Sequence, residues 1–227
     1  MNLPLRLLLP TLVALAAACG PAHAGDDPHA AHRVALQAAG GGAETRVALP
    51  DVVLRDADGR PFPLRADSFG GRVVVVDFVF TTCTTICPAL TTLMASVKRG
   101  LGERMGREVV LVSISVDPAR DTPEALRAYA RSVNAGDDWI WLTGSRGDIA
   151  RVLRAFGLAP GAPDDHPPLI MVGDPARDRW LRWVGVPSPA TLVERVRALS
   201  AQRRGSPQAA VHERPGASHA AHSSASP

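Results

Sequence analysis

Residues 73–88 read VVVVDFVFTTCTTICP, and this stretch decides the fold of the chain. The first eight residues form an almost unbroken apolar run, which is typical of a β-strand that is buried on both faces. After the run comes a Thr-rich segment with two cysteines, and residues 85–101 then place apolar side chains at helical spacing. A buried strand followed directly by a helix is the repeating unit of α/β proteins, and so this stretch predicts an α/β sheet.

The same alternation continues on both sides of this unit. Upstream, strands predicted at 52–55 and 62–64 flank the turn signal of residues 57–60 (ADGR), which indicates an N-terminal β-hairpin. Downstream, the predicted strands are 109–116, 139–142, 169–172 and 180–184, and the predicted helices are 122–133, 145–156 and 188–200. This order predicts a central sheet with helices on its faces.

The segments outside residues 47–202 lack this alternation. Residues 25–46 are rich in Ala, Gly and His, and they are predicted to be a flexible spacer. Residues 203–227 are predicted to be a disordered tail of His, Ser and Ala. The folded domain is therefore expected to span residues 47–202.

The first residues carry the features of an export signal. Arg6 precedes an apolar run at residues 7–18 that is too short to span a membrane as a mature helix. One interpretation is a signal peptide of residues 1–24, cleaved after Ala22-His23-Ala24. The other is a signal of residues 1–18, followed by a lipid-bearing Cys19 within a lipobox-like LAAACG. Both interpretations place the protein on the periplasmic side of the bacterial inner membrane, either soluble or lipid-anchored.

Composition excludes one class of function. The formal net charge is only +3, Lys98 is the only lysine, and the arginines are scattered along the sequence without a basic run. Proteins that track phosphates along a nucleic acid gather such charges into a stripe or patch. The sequence therefore predicts no nucleic-acid partner.

Cys83 and Cys87 are the candidate functional residues. They lie where the buried strand ends and a helix begins, and ligands of α/β sheets bind outside the carboxyl ends of the strands. A helix N-terminus also favours a thiolate. Thiolates prefer soft metals, and residues four apart on a helix approach closely enough to share one ion. A disulfide closing so short a loop would add little stability, so chemistry explains the pair better.

His166 is the single histidine of residues 47–202, on a proline-stiffened loop just before a predicted strand. Two thiolates and one imidazole would suit three-coordinate Cu(I) better than a closed zinc site, which wants four protein ligands. A solvated surface histidine is the alternative interpretation. Asp77, on the buried strand, is either a proton acceptor for the cysteines or a strand-end residue that reaches solvent.

Two further groups of polar residues have open roles. Asp117, Arg120 and Asp121 either organise a loop near the cysteines or form a local cap and ion pair. The tetrapeptide His-Ala-Ala-His occurs twice, at His29/His32 and at His219/His222. Such pairs either collect metal weakly or arise by chance in Ala-rich segments.

The chain resembles the Sco/SenC family of copper chaperones over essentially the whole folded domain. The resemblance lies in Cys83-x-x-x-Cys87-Pro88 after an apolar strand, in residues 115–124 (SVDPARDTPE), in residues 141–145 (WLTGS) and in Asp165-His166. Thr84-Thr85, where many members carry Pro-Asp, and Pro167, where Ser is common, depart from the family pattern. These departures bear on the partner and the redox behaviour more than on the copper site.

The resemblance implies a thioredoxin-like fold and a copper site, for Cu(I) or alternatively Cu(II), formed by Cys83, Cys87 and His166. It also implies a copper metallochaperone, expected to be a monomer, that serves cytochrome c oxidase subunit II or a similar copper acceptor. A thiol reductant would keep the cysteines reduced. Membrane attachment would come from Cys19 in the lipid-anchored interpretation of the N-terminus.

Three rival functions use the same sequence differently. A periplasmic thiol-disulfide oxidoreductase would use Cys83 and Cys87 as a redox pair and would not need His166. A peroxidase of the thioredoxin superfamily would need a dedicated peroxide pocket, which a cysteine pair followed by Pro88 fits poorly. A purely structural protein would leave the conspicuous cysteine pair without a role.

Overall fold

The computed structural model describes residues 42–205. Both export signals proposed for the N-terminus, the lipid site at Cys19 and the His-Ala-Ala-His pairs lie outside the described residues. Within residues 42–205, no helix is long and apolar enough to cross a membrane.

The domain is built on one mixed sheet of eight strands in the order β1-β8-β7-β4-β5-β6-β2-β3. The strands are β1 (Ala43–Thr45), β2 (Val53–Asp56), β3 (Pro61–Pro63), β4 (Val73–Val79), β5 (Val109–Ser115), β6 (Trp139–Thr143), β7 (Leu169–Asp174) and β8 (Arg179–Val184). Strands β4, β5 and β6 run parallel, whereas β7 runs antiparallel to β4. Strands β4 and β5 are buried at every position, as their unbroken apolar runs predict.

Four helices cover the sheet. They are α1 (Cys87–Leu101), α2 (Pro123–Ser132), α3 (Arg146–Ala155) and α4 (Pro189–Arg204). Each of α2, α3 and α4 begins at a Ser or Thr whose hydroxyl accepts a backbone N–H of the first turn, at Thr122, Ser145 and Ser188. Helix α1 packs against α4.

The two faces of the sheet carry different helices. Thr91 on α1 and Tyr129 on α2 contact each other through their hydroxyls, so these two helices lie side by side. Phe156, at the end of α3, packs edge-on against Phe78. Neighbouring strand residues point to opposite faces of a sheet, so Phe78 and Asp77 lie on opposite faces. Helix α3 therefore covers the face that carries Phe78. The thioredoxin-like arrangement with an N-terminal hairpin of β2 and β3 is confirmed.

The structure adds one strand that the sequence did not predict. Strand β1 (Ala43–Thr45) lies within the predicted spacer of residues 25–46 and pairs antiparallel with β8. Gly42 lies so close to the ring of Trp183 that a Cβ there would come within 2.5 Å of it. The described domain thus begins before residue 47, and α4 continues past residue 202 to Arg204. Three residues are too few to show an alternating pattern, so their pairing depends on the edge of β8.

Candidate metal centre at the end of strand β4

The cysteines lie where β4 gives way to α1. Cys83 lies in the loop, 8% exposed, and Cys87 is the first helical residue and is fully buried. Helix α1 begins two residues later than the predicted Thr85. Cys83 therefore precedes the helix, and the two cysteines are not helical neighbours. Instead, the backbone N–H of Cys87 donates to Cys83 Sγ at 3.3 Å.

Both cysteines are free thiols in this structure, and their environments separate their acidities. Burial raises the pKa of Cys83, but hydrogen bonds from Cys87 and Thr85 outweigh it and lower that pKa to about 7. Burial, together with the proton shared with Cys83, raises the pKa of Cys87 to about 12. Cys83 is thus the thiol that ionises first, and Cys87 holds its proton until a metal ion or an oxidant displaces it.

The loop between β4 and α1, residues 80–86, carries Cys83 and is called the cysteine loop. A buried carboxylate holds the start of this loop. Asp121, fully buried, accepts hydrogen bonds from the backbone N–H of Thr81 at 3.1 Å and from its hydroxyl at 2.6 Å. Ser115 Oγ donates to the other oxygen of Asp121 at 2.5 Å. Asp121 thus organises the loop two residues before Cys83. No local sequence pattern marked Thr81 or Ser115 as part of this site.

Asp117 and Arg120 form an ion pair with each other. Such a local pair was the alternative to the prediction that they organise a loop near the cysteines. Arg120 Nη1 lies 2.7 Å from Asp117 Oδ2, and the Asp117 side chain is almost buried. The pKa of Arg120 is raised by Asp117 first, and then by Asp121 and Asp164. Asp164 lies in the loop before β7 that carries His166, called the histidine loop. Arg120 therefore lies in the electrostatic field of two loops that border the cysteines.

His166 lies beside the cysteine loop. Its ring packs edge-on against Phe80, with the ring centroids 6.5 Å apart, and Phe80 O accepts the backbone N–H of Cys83 at 3.2 Å. His166 Nδ1 lies 3.2 Å from Pro167 O. Its Nε2 is buried and has no hydrogen-bond partner in the described part of the chain. A buried ring nitrogen without a partner is available to a metal ion.

The three predicted ligands do not form a closed cluster in this structure. Among residues 42–205, no three His, Cys, Asp or Glu side chains lie close enough together to hold a metal ion. The structure brings Cys83 and Cys87 into contact and places His166 next to Phe80 at the same edge of the sheet. The donor set fits a soft metal, and closing it requires the histidine loop to approach the sulfurs.

Asp77 is not the solvent-reaching residue at a strand end that one of the two interpretations predicted. It is fully buried in the middle of the sheet, and Ser113 Oγ donates to its Oδ1 at 2.5 Å. Its Oδ2 has no hydrogen-bond partner among the described residues. Burial outweighs the hydrogen bond from Ser113 and raises the pKa of Asp77 to about 7. Asp77 is thus a buried carboxyl group that titrates near neutrality.

Comparisons with known proteins agree on one family. The family description SCO1/SenC matches residues 48–178. A SCO1 protein homolog of Bacillus subtilis is 33% identical over 119 residues, which cover 51% of this chain and 60% of that protein. The chain spans about half the length of the curated relatives it matches.

Solved structures give the same result for the fold. BsSco, described as a Sco-family cytochrome c oxidase assembly protein with a disulfide switch, is 26% identical, with a TM-score of 0.58 over 70% of this chain and 97% of that one. A SCO1/SenC family lipoprotein of Bacillus anthracis is 26% identical, with a TM-score of 0.61 over 69% and 97%. Copper-bound ScoI of Arabidopsis thaliana is 24% identical, with a TM-score of 0.55 over 72% and 98%, and supports the fold alone.

Proposed function

Since the chain belongs to the SCO1/SenC family, we propose that it is a copper metallochaperone that assists assembly of the copper site of cytochrome c oxidase. One observation carries the proposal. Two free thiols, one with a lowered and one with a raised pKa, lie in contact at the strand–helix junction. Beside them is a histidine whose buried Nε2 has no hydrogen-bond partner among the described residues. Two thiolates and an imidazole are ligands that Cu(I) prefers, and Cu(II) is the alternative cargo.

The acidities of the cysteines suit uptake and release. Cys83, with its lowered pKa, would offer a thiolate to arriving copper near neutral pH. Cys87 would lose its proton only as the metal binds, because metal binding to thiols releases protons. His166 would complete the site from the loop before β7, and exchange of these ligands for those of an acceptor would pass the metal on. The proposed acceptor is cytochrome c oxidase subunit II or a similar copper protein.

Both cysteines must be thiols for this role, so a thiol reductant is a second proposed partner. Outside the cytoplasm, neighbouring thiols tend to oxidise. A reductant would reach the disulfide at Cys83, which keeps some exposure, whereas Cys87 is fully buried. The lower pKa of Cys83 would make it the better nucleophile when the disulfide re-forms.

We further propose that the domain works on the periplasmic side of the inner membrane, attached through Cys19 or released before Gly25. The support is the export-type N-terminus of the sequence, together with the similarity to a lipoprotein of the same family. Mass spectrometry of the N-terminus of the exported chain should find either an acylated Cys19 or a free Gly25. An intact Met1 on the exported chain would contradict both.

The proposal is tested by anaerobic Cu(I) titration of the reduced full chain against a competing chelator. We expect one tightly held copper per chain. The variant His166→Ala should bind copper roughly 100-fold more weakly, because the site loses its imidazole but keeps both thiolates, the ligands that Cu(I) prefers. The exchange of the Cys83–Cys87 disulfide with a small thiol should stay unchanged in this variant.

The same experiment distinguishes a copper chaperone from a thiol-disulfide oxidoreductase, the alternative function that the family comparisons do not favour. An oxidoreductase would show no tight copper and a readily exchanged disulfide in the unaltered chain. Unchanged copper affinity in His166→Ala would refute the three-ligand site. His212→Ala is the matched control, since His212 lies outside the folded domain in sequence.

A further inference from the structure

The fold gathers arginines that are far apart in the sequence at the end of the domain opposite the cysteines. They come from the segment before β4, the end of α1, the turn before β5, the turn before β8 and the end of α4. These arginines, which we call the arginine face, are Arg72, Arg99, Arg104, Arg107, Arg177, Arg197, Arg203 and Arg204.

Direct contacts join the members of this face. Arg104 Nη1 and Arg204 Nη1 lie 2.8 Å and 2.6 Å from the same oxygen of Glu108. The pKa of Glu108 is lowered because hydrogen bonds and charge attraction from these two arginines outweigh its burial. One carboxylate thus serves two arginines, and one positive charge remains.

A second carboxylate repeats the arrangement. Asp174, almost fully buried, pairs with Arg177 at 2.9 Å and with Arg203 at 3.1 Å. The Arg203 guanidinium lies so close to Gly71 that a Cβ there would approach it to 2.9 Å. The next residue, Arg72, donates to Phe69 O and to Gly106 O. The turns before β4, β5 and β8 are thereby held against the end of α4.

The remaining arginines are exposed and bind no carboxylate among the described residues. Arg197 donates to Gly100 O, the C-terminal neighbour of Arg99, and Arg99 donates to Ser96 Oγ. Arg107 is exposed beside Gly106. These three side chains present unneutralised charge to solvent.

The result is a domain with separated charge. In the arginine face, four arginines share two carboxylates, Glu108 and Asp174, and Arg99, Arg107 and Arg197 pair with none among the described residues. The face therefore carries surplus positive charge. The cysteine end carries the opposite sign, since Asp117, Asp121, Asp164 and Asp165 accompany Arg120 there.

We propose that the arginine face binds the anionic headgroups of a lipid bilayer and so directs the cysteine end away from the membrane. Guanidinium groups form two parallel hydrogen bonds with phosphate, and clustered basic residues near an anionic bilayer each add binding energy. This inference rests on the proposed periplasmic location: a domain attached through Cys19 lies beside the inner membrane, which makes a bilayer, rather than another polyanion, the occupant this face fits best. With the face on the lipid, Cys83 and Cys87 would face outward toward other exported proteins.

The test is binding of the full chain to vesicles of equal parts phosphatidylglycerol and phosphatidylcholine, compared with phosphatidylcholine alone, at about 0.1 M salt. The triple variant Arg99→Glu, Arg107→Glu, Arg197→Glu should lose roughly 100-fold or more of the binding that depends on phosphatidylglycerol. Every variant keeps the same N-terminal segment, so the difference isolates the arginine face. Hydrogen exchange on these vesicles should slow at residues 99–107 and 197–204, and not at residues 81–86.

The matched control changes the same net charge elsewhere. Arg55→Glu, Arg146→Glu, Arg151→Glu reverses three exposed arginines on β2 and α3, away from the arginine face, and should retain the binding of the unaltered chain. The triple variant Arg99→Lys, Arg107→Lys, Arg197→Lys should also retain most of it, because the charge is kept. Equal loss in both Glu triples, binding without dependence on phosphatidylglycerol, or tighter binding of duplex DNA than of the vesicles would overturn the proposal. Copper binding plays no part in this test.

Discussion

The variant Cys87→Ser is expected to bind Cu(I) roughly 1,000-fold more weakly than the unaltered chain. Metal sites in small domains bind with about 10–16 kcal/mol spread over three or four ligands, so one ligand accounts for about 4 kcal/mol. Serine keeps the size of the side chain but replaces a soft sulfur with a hard, protonated oxygen. Cys87 is fully buried at the start of α1, so water cannot easily take its place.

The measurement is the competition titration under anaerobic conditions, with the unaltered chain and Cys83→Ser alongside. Cys19→Ser is the matched control, because it removes a cysteine that lies outside the described domain and should leave the affinity unchanged. Thermal unfolding of the reduced, metal-free proteins should show that Cys87→Ser still folds. Copper affinity within tenfold of the unaltered chain in Cys87→Ser would exclude a two-thiolate site.

The variant Asp77→Asn is expected to be more stable than the unaltered chain at pH 8, by at most about 4 kcal/mol. Asp77 is fully buried, one of its oxygens accepts only Ser113 Oγ, and the other has no partner in the described residues. Ser113 Oγ is itself fixed, since Trp139 Nε1 donates to it at 2.8 Å. A charged carboxylate in this place loses its hydration without gaining a cation.

The pH dependence of stability follows from whether the folded or the unfolded state holds the proton of Asp77 more tightly. Burial raises the pKa of Asp77 from 3.8 to about 7 in the folded protein, whereas the unfolded chain keeps the ordinary value. Between these two values the folded state binds the proton more tightly. The contribution of Asp77 to the free energy of unfolding should therefore be most favourable below about pH 4 and should fall as pH rises to about 7. The amide introduced by Asp77→Asn has no proton to lose, so this variant should lack this part of the dependence.

Urea unfolding of the reduced chains between pH 5 and pH 8 measures the difference. The stability gap between Asp77→Asn and the unaltered chain should widen as pH rises and narrow toward pH 5. Asp51→Asn, at an exposed position, should follow the unaltered chain at every pH. Parallel curves for Asp77→Asn and the unaltered chain would show that Asp77 is ionised in the folded state without cost.

The kinds and order of the elements could be predicted because local periodicity encodes them. The apolar runs of β4 and β5 and the helical spacing after Cys87 predicted their elements to within two residues. Strand β1 escaped prediction because three residues carry no period, and its conformation depends on an edge of β8 that is far away in the sequence. The start of α1 moved to Cys87 because Cys83 Sγ accepts the N–H of Cys87, which a periodic pattern does not contain.

By itself, the sequence determined the sheet-and-helix order and the placement of Cys83 and Cys87 at the end of a buried strand, and it predicted a soft metal from the thiolates. These properties depend on neighbours along the chain. Only the tertiary structure decided that His166 meets Phe80, because β7 lies antiparallel beside β4 and its start adjoins the end of that strand. It also decided that Asp121 holds Thr81 and that scattered arginines share one face. These contacts arise from the order of strands in the sheet, which brings together residues that no local pattern connects.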